Sequence, residues 1–245
     1  MRNIKMTIAY EGTNYFGWQK QNDRITIEEE IEKVLSKILK ESVDIKGSGR
    51  TDAGVHAYGQ VANFKTTKRI GLEELKRACN TILPRDISII DVQEVDELFD
   101  SRKSAKIKHY RYIVNNSEVH DALNKDRKYQ HKYKVDIEVM KKAANDILGE
   151  HDFTAFRASG SSSKNVIQTI YKVDIVKEGA NIIIDIEGTG FLYNMVRIIV
   201  GTLLEIGSSK LKEDTIKDML AKKDRKLGGK TVPAVGLYLV EVIYQ

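Results

Sequence analysis

Residues 47–64 read GSGRTDAGVHAYGQVANF, and the rest of the chain is best understood outward from them. Two glycines, an arginine, a threonine and an aspartate fall within six residues, after which GQVANF has the composition of a buried strand. Gly47 and Gly49 are expected to take backbone conformations closed to other residues, and Gly54 to let another surface approach closely. Asp52 then has two readings: the floor of a cleft, or the capping aspartate of a glycine turn. Two phosphate-loop patterns fail on spacing. A GxGxxG fingerprint begun at Gly47 needs glycine where Asp52 stands, and a Walker loop begun at Gly49 needs Lys and Ser/Thr where Val55 and His56 stand.

Composition narrows the class. The chain has 245 residues, 41% of them hydrophobic, with only two prolines, enough for a substantial core in one large domain or two packed halves. A net charge of +5 suits a polyanionic partner, and suits a solvated basic surface equally well. The single cysteine, Cys79, rules out an intramolecular disulfide and a four-cysteine zinc site, and it cannot supply the ligand set of a zinc nucleobase deaminase. No stretch has the continuous apolar length of a signal peptide core or a membrane span, which implies a cytoplasmic protein.

Along the chain, Ile4, Met6, Ile8 and Tyr10 alternate as in a strand with one buried face. Thr26 and Glu29 have capping-box spacing before Ile27, Ile31, Leu35 and Ile38, which predicts a helix to about Lys40 with a merely solvated charged face. A second helix spans Leu72, Leu75, Ala78, Cys79 and Ile82 and ends before Pro84. Residues 106–116, KIKHYRYIVNN, alternate as a strand with Tyr110, Tyr112 and Val114 on one face. The segment 120–134 interleaves basic and aromatic residues, which fits an RNA-tracking surface or a solvated loop. A third helix on Ile137, Met140, Ala144, Ile147 and Leu148 stops at Gly149, SGSSSK (159–164) reads as a surface loop, and strands follow at 170–177 and 181–187. The segment 188–207 contains a helix packed through Met195, Ile198, Ile199, Leu203 and Leu204, and Arg197 lies among them, either paired with a carboxylate or snorkelling to the surface. A last strand covers 236–244.

GRTDAGVHA followed by GQVANF closely resembles the signature of the tRNA pseudouridine synthase A family, whose motif aspartate is the essential catalytic residue; matched by position it is Asp52. YEGTNYFGWQKQ (10–21), LPRDISIIDVQEV (83–95), the tyrosine-rich strand, HDFTAFRASG (151–160), GTGFLYNMVRIIVGTLLEIG (188–207) and VPAVGLYLVEVIY (232–244) are similar to further family segments. The resemblance thus extends over nearly the whole chain. It implies an α+β fold: two similar subdomains, 1–105 with the aspartate loop and 106–245 with the arginine helix, sharing a continuous mixed, mainly antiparallel sheet with helices packed on it and an active cleft between the halves.

The resemblance also implies a cofactor-free and metal-free isomerase, working as a homodimer on uridines 38 to 40 of the tRNA anticodon arm. It makes Arg197 the ionic partner of Asp52, Tyr110 the residue that stacks on the uracil, and Arg50 an aid to base flipping. Thr51, His56, Arg102, Arg157 and Asn194 join Tyr110 and Arg50 as substrate-binding candidates. Two departures stand out. Phe99, Asp100, Ser101 and Arg102 replace a Phe/His/Ala/Arg tetrad, and Gln168 stands where an arginine is usual.

The chemistry fits the residues. Isomerisation breaks the uracil N1 to ribose C1′ bond and rejoins the base through C5, with no redox step or group donor. Positive charge building on the sugar calls for a carboxylate, as in glycosidases. Asp52 is open to three roles: nucleophile, electrostatic stabiliser, or base for the 2′ proton. Burial alone would disfavour its charged form, and an arginine restores it. A non-catalytic RNA-binding protein is the competing reading, and it has no use for Asp52.

Overall fold

The computed structural model describes residues 1–160 and 165–245. The elements run β1 (Arg2–Tyr10), α1 (Ile27–Leu39), β2 (Lys46–Gly47), β3 (His56–Thr66), α2 (Leu72–Ile82), β4 (Ile87–Val95), β5 (Ile107–Asn115), β6 (Tyr129–Gln130), α3 (Ile137–Ala144), β7 (Gly149–Asp152), β8 (Ile167–Glu178), β9 (Asn181–Gly188), α4 (Met195–Gly207), α5 (Thr215–Lys222) and β10 (Leu237–Ile243). The class is α+β with mostly antiparallel strand pairing. Setting aside the short β6, β7 and α5, each half runs strand, helix, strand, strand, helix, strand, the order of the split βαβ motif. The repetition is therefore present in the chain itself.

Two compact units result, residues 1–106 with 238–245, and residues 107–237. The second unit is shorter than the expected subdomain 106–245, because the C-terminal residues 238–245 cluster with the first unit. Backbone pairing explains the difference, because β10 aligns parallel to β3 through Tyr238 with His56 and Leu239 with Ala57.

In the first unit β1 lies antiparallel between β3 and β4, and β2 adds to β3. Ile4, Met6 and Ile8 of β1 are buried with Ile27, Ile31 and Leu35 of α1 and Leu75 and Cys79 of α2. Each such side chain contributes about 1.5–3 kcal/mol by leaving water. Three local expectations need correction. Thr26 precedes α1 but its side chain makes no cap bond, and its buried Oγ1 has no hydrogen-bond partner. The polar face of α1 is not simply solvated, for Glu28 and Glu32 are buried. Gly47 and Gly49 are not among the positive-φ glycines, whereas Gly54 is, at φ +77°.

In the second unit β5, β9, β8 and β7 are successive antiparallel neighbours. Tyr112 and Val114 of β5, Ile182, Ile184 and Ile186 of β9, and Ile198, Ile199 and Leu203 of α4 are buried. α3 and α4 cross closely at Gly207, where a Cβ would lie 2.7 Å from Met140 Cγ. The third helix ends at Ala144, earlier than its apolar spacing suggests, and continues as a tight 3-10 turn over Asn145–Ile147. α5 was not anticipated. Its buried anchors, Ile216 and Met219, are a single i, i+3 pair among lysines, too short a pattern to separate from a basic loop. The proposed loop of 159–164 falls mostly on residues 161–164, outside the described residues.

Candidate active site

The aspartate loop runs from β2 to β3, and its conformation is imposed by the segment after β1. Val55 N–H donates to Asp52 O at 3.1 Å, closing a turn whose third residue, Gly54, has φ +77°. That torsion is the mark of a type II turn and the reason a glycine stands there. Residues 12–18 grip the turn through backbone hydrogen bonds: Trp18 N–H donates to Thr51 O at 3.0 Å, and Gly54 N–H to Tyr15 O at 3.3 Å. Gly17, at φ +87°, comes so near that a Cβ on it would sit 2.5 Å from Thr51 O and 3.1 Å from Asp52 C. Gly12 does the same against Val55 O, at 2.0 Å.

The aromatic side chains of the gripping segment divide into two groups. Trp18 and Tyr15 are buried plugs, whereas Phe16 is exposed beneath the Arg24 guanidinium, 4.3 Å from its ring centroid. Gly47 serves close approach, since a Cβ there would be 2.5 Å from Trp18 Nε1.

Behind the loop stands Glu28, buried although no motif singles it out. Its carboxylate accepts from Trp18 Nε1 at 3.2 Å, Gln19 Nε2 at 2.5 Å and Lys20 N–H at 2.7 Å. Burial raises its pKa, opposed first by the Lys20 N–H and then by the Trp18 bond. Gln19 in turn accepts from Arg50 Nε at 3.1 Å, so a buried carboxylate steadies the exposed arginine beside Asp52 through one intermediary. Gln60 holds the loop's other end, accepting from Ser48 Oγ at 2.7 Å and donating to Gly49 O at 3.0 Å.

Asp52 itself is half-buried. Thr51 is buried, its hydroxyl sharing a 2.8 Å hydrogen bond with Tyr10. His56 is 1% exposed, accepts from Gly12 N–H at Nδ1 (3.1 Å), and stacks on Tyr238 with centroids 4.7 Å apart. These two candidates build the wall of the loop. Arg102 is exposed on a turn capped by Asp100, whose carboxylate accepts from the Arg102 and Lys103 N–H groups, both at 3.0 Å. Those bonds, with the Lys103 one foremost, lower the Asp100 pKa. Ser101 is fully buried, receives Tyr244 OH on its carbonyl at 2.8 Å, and donates its hydroxyl to Lys46 O. Both departures in the tetrad thus have structural employment, and they tie the Arg102 turn to β2.

In the second unit, the turn between β9 and α4 is the gathering point. Phe191 meets the nearly buried Tyr110 edge to face, centroids 5.1 Å apart. Ala158 N–H donates to Tyr193 O at 3.1 Å, which brings the Arg157 segment alongside. Arg157 borders an open hollow with Arg225 and Lys226. Gln168, the second departure, accepts from Thr189 Oγ1 at 3.2 Å and packs against Gly190. Arg197 is half-buried and anchored, with Nε donating to Val232 O and Nη1 to Asn194 Oδ1, each at 2.7 Å. Tyr110, Arg157, Asn194 and Arg197 therefore converge on one turn. Glu28, Gln60 and Phe191 went unnoticed because a buried acid, an amide and an aromatic announce nothing by spacing alone.

The model of the family described as tRNA pseudouridine synthase matches residues 6–102 and 143–245. The chain belongs to the tRNA pseudouridine synthase family. It is 49% identical over 244 residues to tRNA pseudouridine synthase A of Acetivibrio thermocellus, covering 100% of both chains. It is 47% identical to the proteins of that name from Thermoanaerobacter sp. and Ruminiclostridium cellulolyticum, again with 100% coverage of both. Among solved structures, a chain of a Cbf5-Nop10-Gar1 complex aligns with 96% of this chain and 57% of its own length, with a TM-score of 0.36 and 14% identity. A tRNA pseudouridine synthase is an isomerase, and the aspartate loop and the β9–α4 turn both lie within the matched residues. Among the described residues no helix is long and apolar enough to cross a membrane.

Proposed function

We propose that this tRNA pseudouridine synthase acts in the cytoplasm as a homodimer on uridines 38 to 40 of the anticodon arm. The target nucleotide is flipped out of its stack to meet Asp52, at a cost of about a few kcal/mol. The observation that carries this reading is the aspartate turn, clamped by backbone contacts from residues 12–18 while the Asp52 side chain stays half-exposed. A rigid loop presenting one carboxylate suits a reaction in which charge develops at a fixed point on the sugar.

In this reading the Arg197 guanidinium pairs with Asp52 and keeps it ionised. Tyr110 retains the detached uracil by stacking while N1 is exchanged for C5 at ribose C1′. The C5 proton is then lost, N1 gains one, and the product is an isomer of the substrate. Arg50, steadied by Gln19, contacts the flipped nucleotide's phosphate in this reading.

The test uses tRNA transcripts tritiated at uridine C5. The purified protein should release tritium from a fully labelled transcript with uridine at positions 38 to 40, and release none from the same transcript with cytidine at those positions and every other uridine kept. Equal release from both would overturn the assignment to the anticodon arm.

A further inference from the structure

Asn194 has a backbone few side chains tolerate, φ +61° and ψ 8°, in the left-handed region that asparagine accepts better than most. It precedes α4 as its N-cap, yet its side chain makes no cap hydrogen bond. The carboxamide oxygen accepts instead from Arg197 Nη1, three residues on, at 2.7 Å. The second anchor, Val232 O on Arg197 Nε, is also built in. Residues 228–232 pack closely against α4. A Cβ on Gly201 would fall 1.8 Å from Lys230 O, Gly229 N–H donates to Thr202 Oγ1 at 3.1 Å, and Val232 N–H donates to Arg197 O at 3.3 Å.

Two acceptors on different nitrogens of one planar group fix its plane as well as its place. We infer that Asn194 is a positioning residue for Arg197: its carboxamide oxygen and the Val232 carbonyl together aim the guanidinium, and Asn194 acts through Arg197, not by touching RNA. The inference rests on the proposed pairing of Arg197 with the catalytic carboxylate. It gives Asn194 a different task from the substrate contact that the family resemblance implies.

The backbone conformation suggests a clean experiment. Asn194→Gly keeps the left-handed torsion without strain and removes only the acceptor, whereas Asn194→Asp keeps an oxygen in place. Steady-state tritium release and thermal melting are measured for both, for Arg197→Lys, and for the Asn194→Gly/Arg197→Lys double variant. Asn194→Gly should lower kcat by roughly 10- to 100-fold, the effect of one lost hydrogen bond to a charged group, with KM and Tm near wild type. Asn194→Asp should recover most of that loss. In the Arg197→Lys background, Asn194→Gly should cost less than about twofold more, because the two residues act as one unit.

A raised KM with unchanged kcat in Asn194→Gly would make Asn194 an RNA contact and overturn the inference. Multiplicative losses in the double variant would do the same. Wild-type kcat in Arg197→Lys would remove the reading of Arg197 and this inference with it, whereas an impaired Arg197→Lys beside a fully active Asn194→Gly would sink the inference alone.

Discussion

Replacing Gly17 with alanine should damage catalysis as well as stability. The residue has φ +87°, which costs a side chain roughly 1–2 kcal/mol. The new Cβ would also stand 2.5 Å from Thr51 O and 3.1 Å from Asp52 C, and both are backbone atoms that no rotamer change can move aside. Overpacking of this kind adds about 1–3 kcal/mol, so the total loss is about 2–5 kcal/mol. At roughly 2–4 °C per kcal/mol for a chain of this size, Tm should fall by about 4–20 °C. Relieving the contact to 3.0 Å, the least that real Cβ atoms show, moves the aspartate turn by about 0.5 Å. A displacement of about 1 Å at a reacting group costs about 100-fold, so kcat should drop by roughly tenfold. The assay is tritium release from C5-labelled tRNA at a temperature where melting shows the variant folded. Gly179→Ala is the control, because Gly179 has φ +59° and nothing within 4 Å of its would-be Cβ. It should lose some stability and no activity. A Gly17→Ala protein with wild-type kcat would refute the claim that residues 12–18 set the position of Asp52.

Other consequences are separable. Arg197→Lys should lower kcat far more than tRNA affinity, because lysine keeps the charge and loses the fork; equal losses in single-turnover rate and filter-binding affinity would count against the pairing. His131 is buried, and burial first, then the nearby Lys230 and Lys210 charges, lower its pKa from 6.5. The unfolded chain therefore takes up the proton first, so stability is full above about pH 6.5 and declines as pH falls below it. Urea midpoints from pH 7.5 to 5.5 should show that decline in wild type and a flatter profile in His131→Gln, and identical profiles would contradict the assignment. Burial pushes the Cys79 thiol up to about 12. An aromatic disulfide reagent at pH 8 should label the denatured protein and leave the native one unlabelled within minutes, and prompt native labelling would show that α2 opens.

Strands and long helices were legible because their spacing carries the signal. Tyr110, Tyr112 and Val114 alternate, and Leu72 to Ile82 bracket α2 at the observed limits. What stayed hidden is what depends on contacts distant in sequence. The roles of the loop glycines were exchanged, since only tertiary structure shows that Gly47 makes room for the Trp18 ring while Gly54 bends the chain. Glu28 looked like one more surface charge of a helix until the donors of residues 18–20 turned it inward. The return of β10 to β3 was illegible for the same reason, as no local pattern says which strand a terminal segment will join. Of the candidate site, the roles of Asp52, Tyr110 and Arg197 rest on motif resemblance. Thr51 and His56 shared the motif, yet they are buried and engaged within the fold.

The most direct test is Asp52→Asn, which keeps the size of the side chain and removes its charge. Single-turnover tritium release and tRNA binding are measured on the same preparation. Release should vanish while affinity for tRNA stays within about threefold of wild type, because in the proposed mechanism the carboxylate acts on the bond being broken and not on holding the polyanion. Persistent release at a comparable rate from Asp52→Asn would mean that the chemistry lies elsewhere in the molecule.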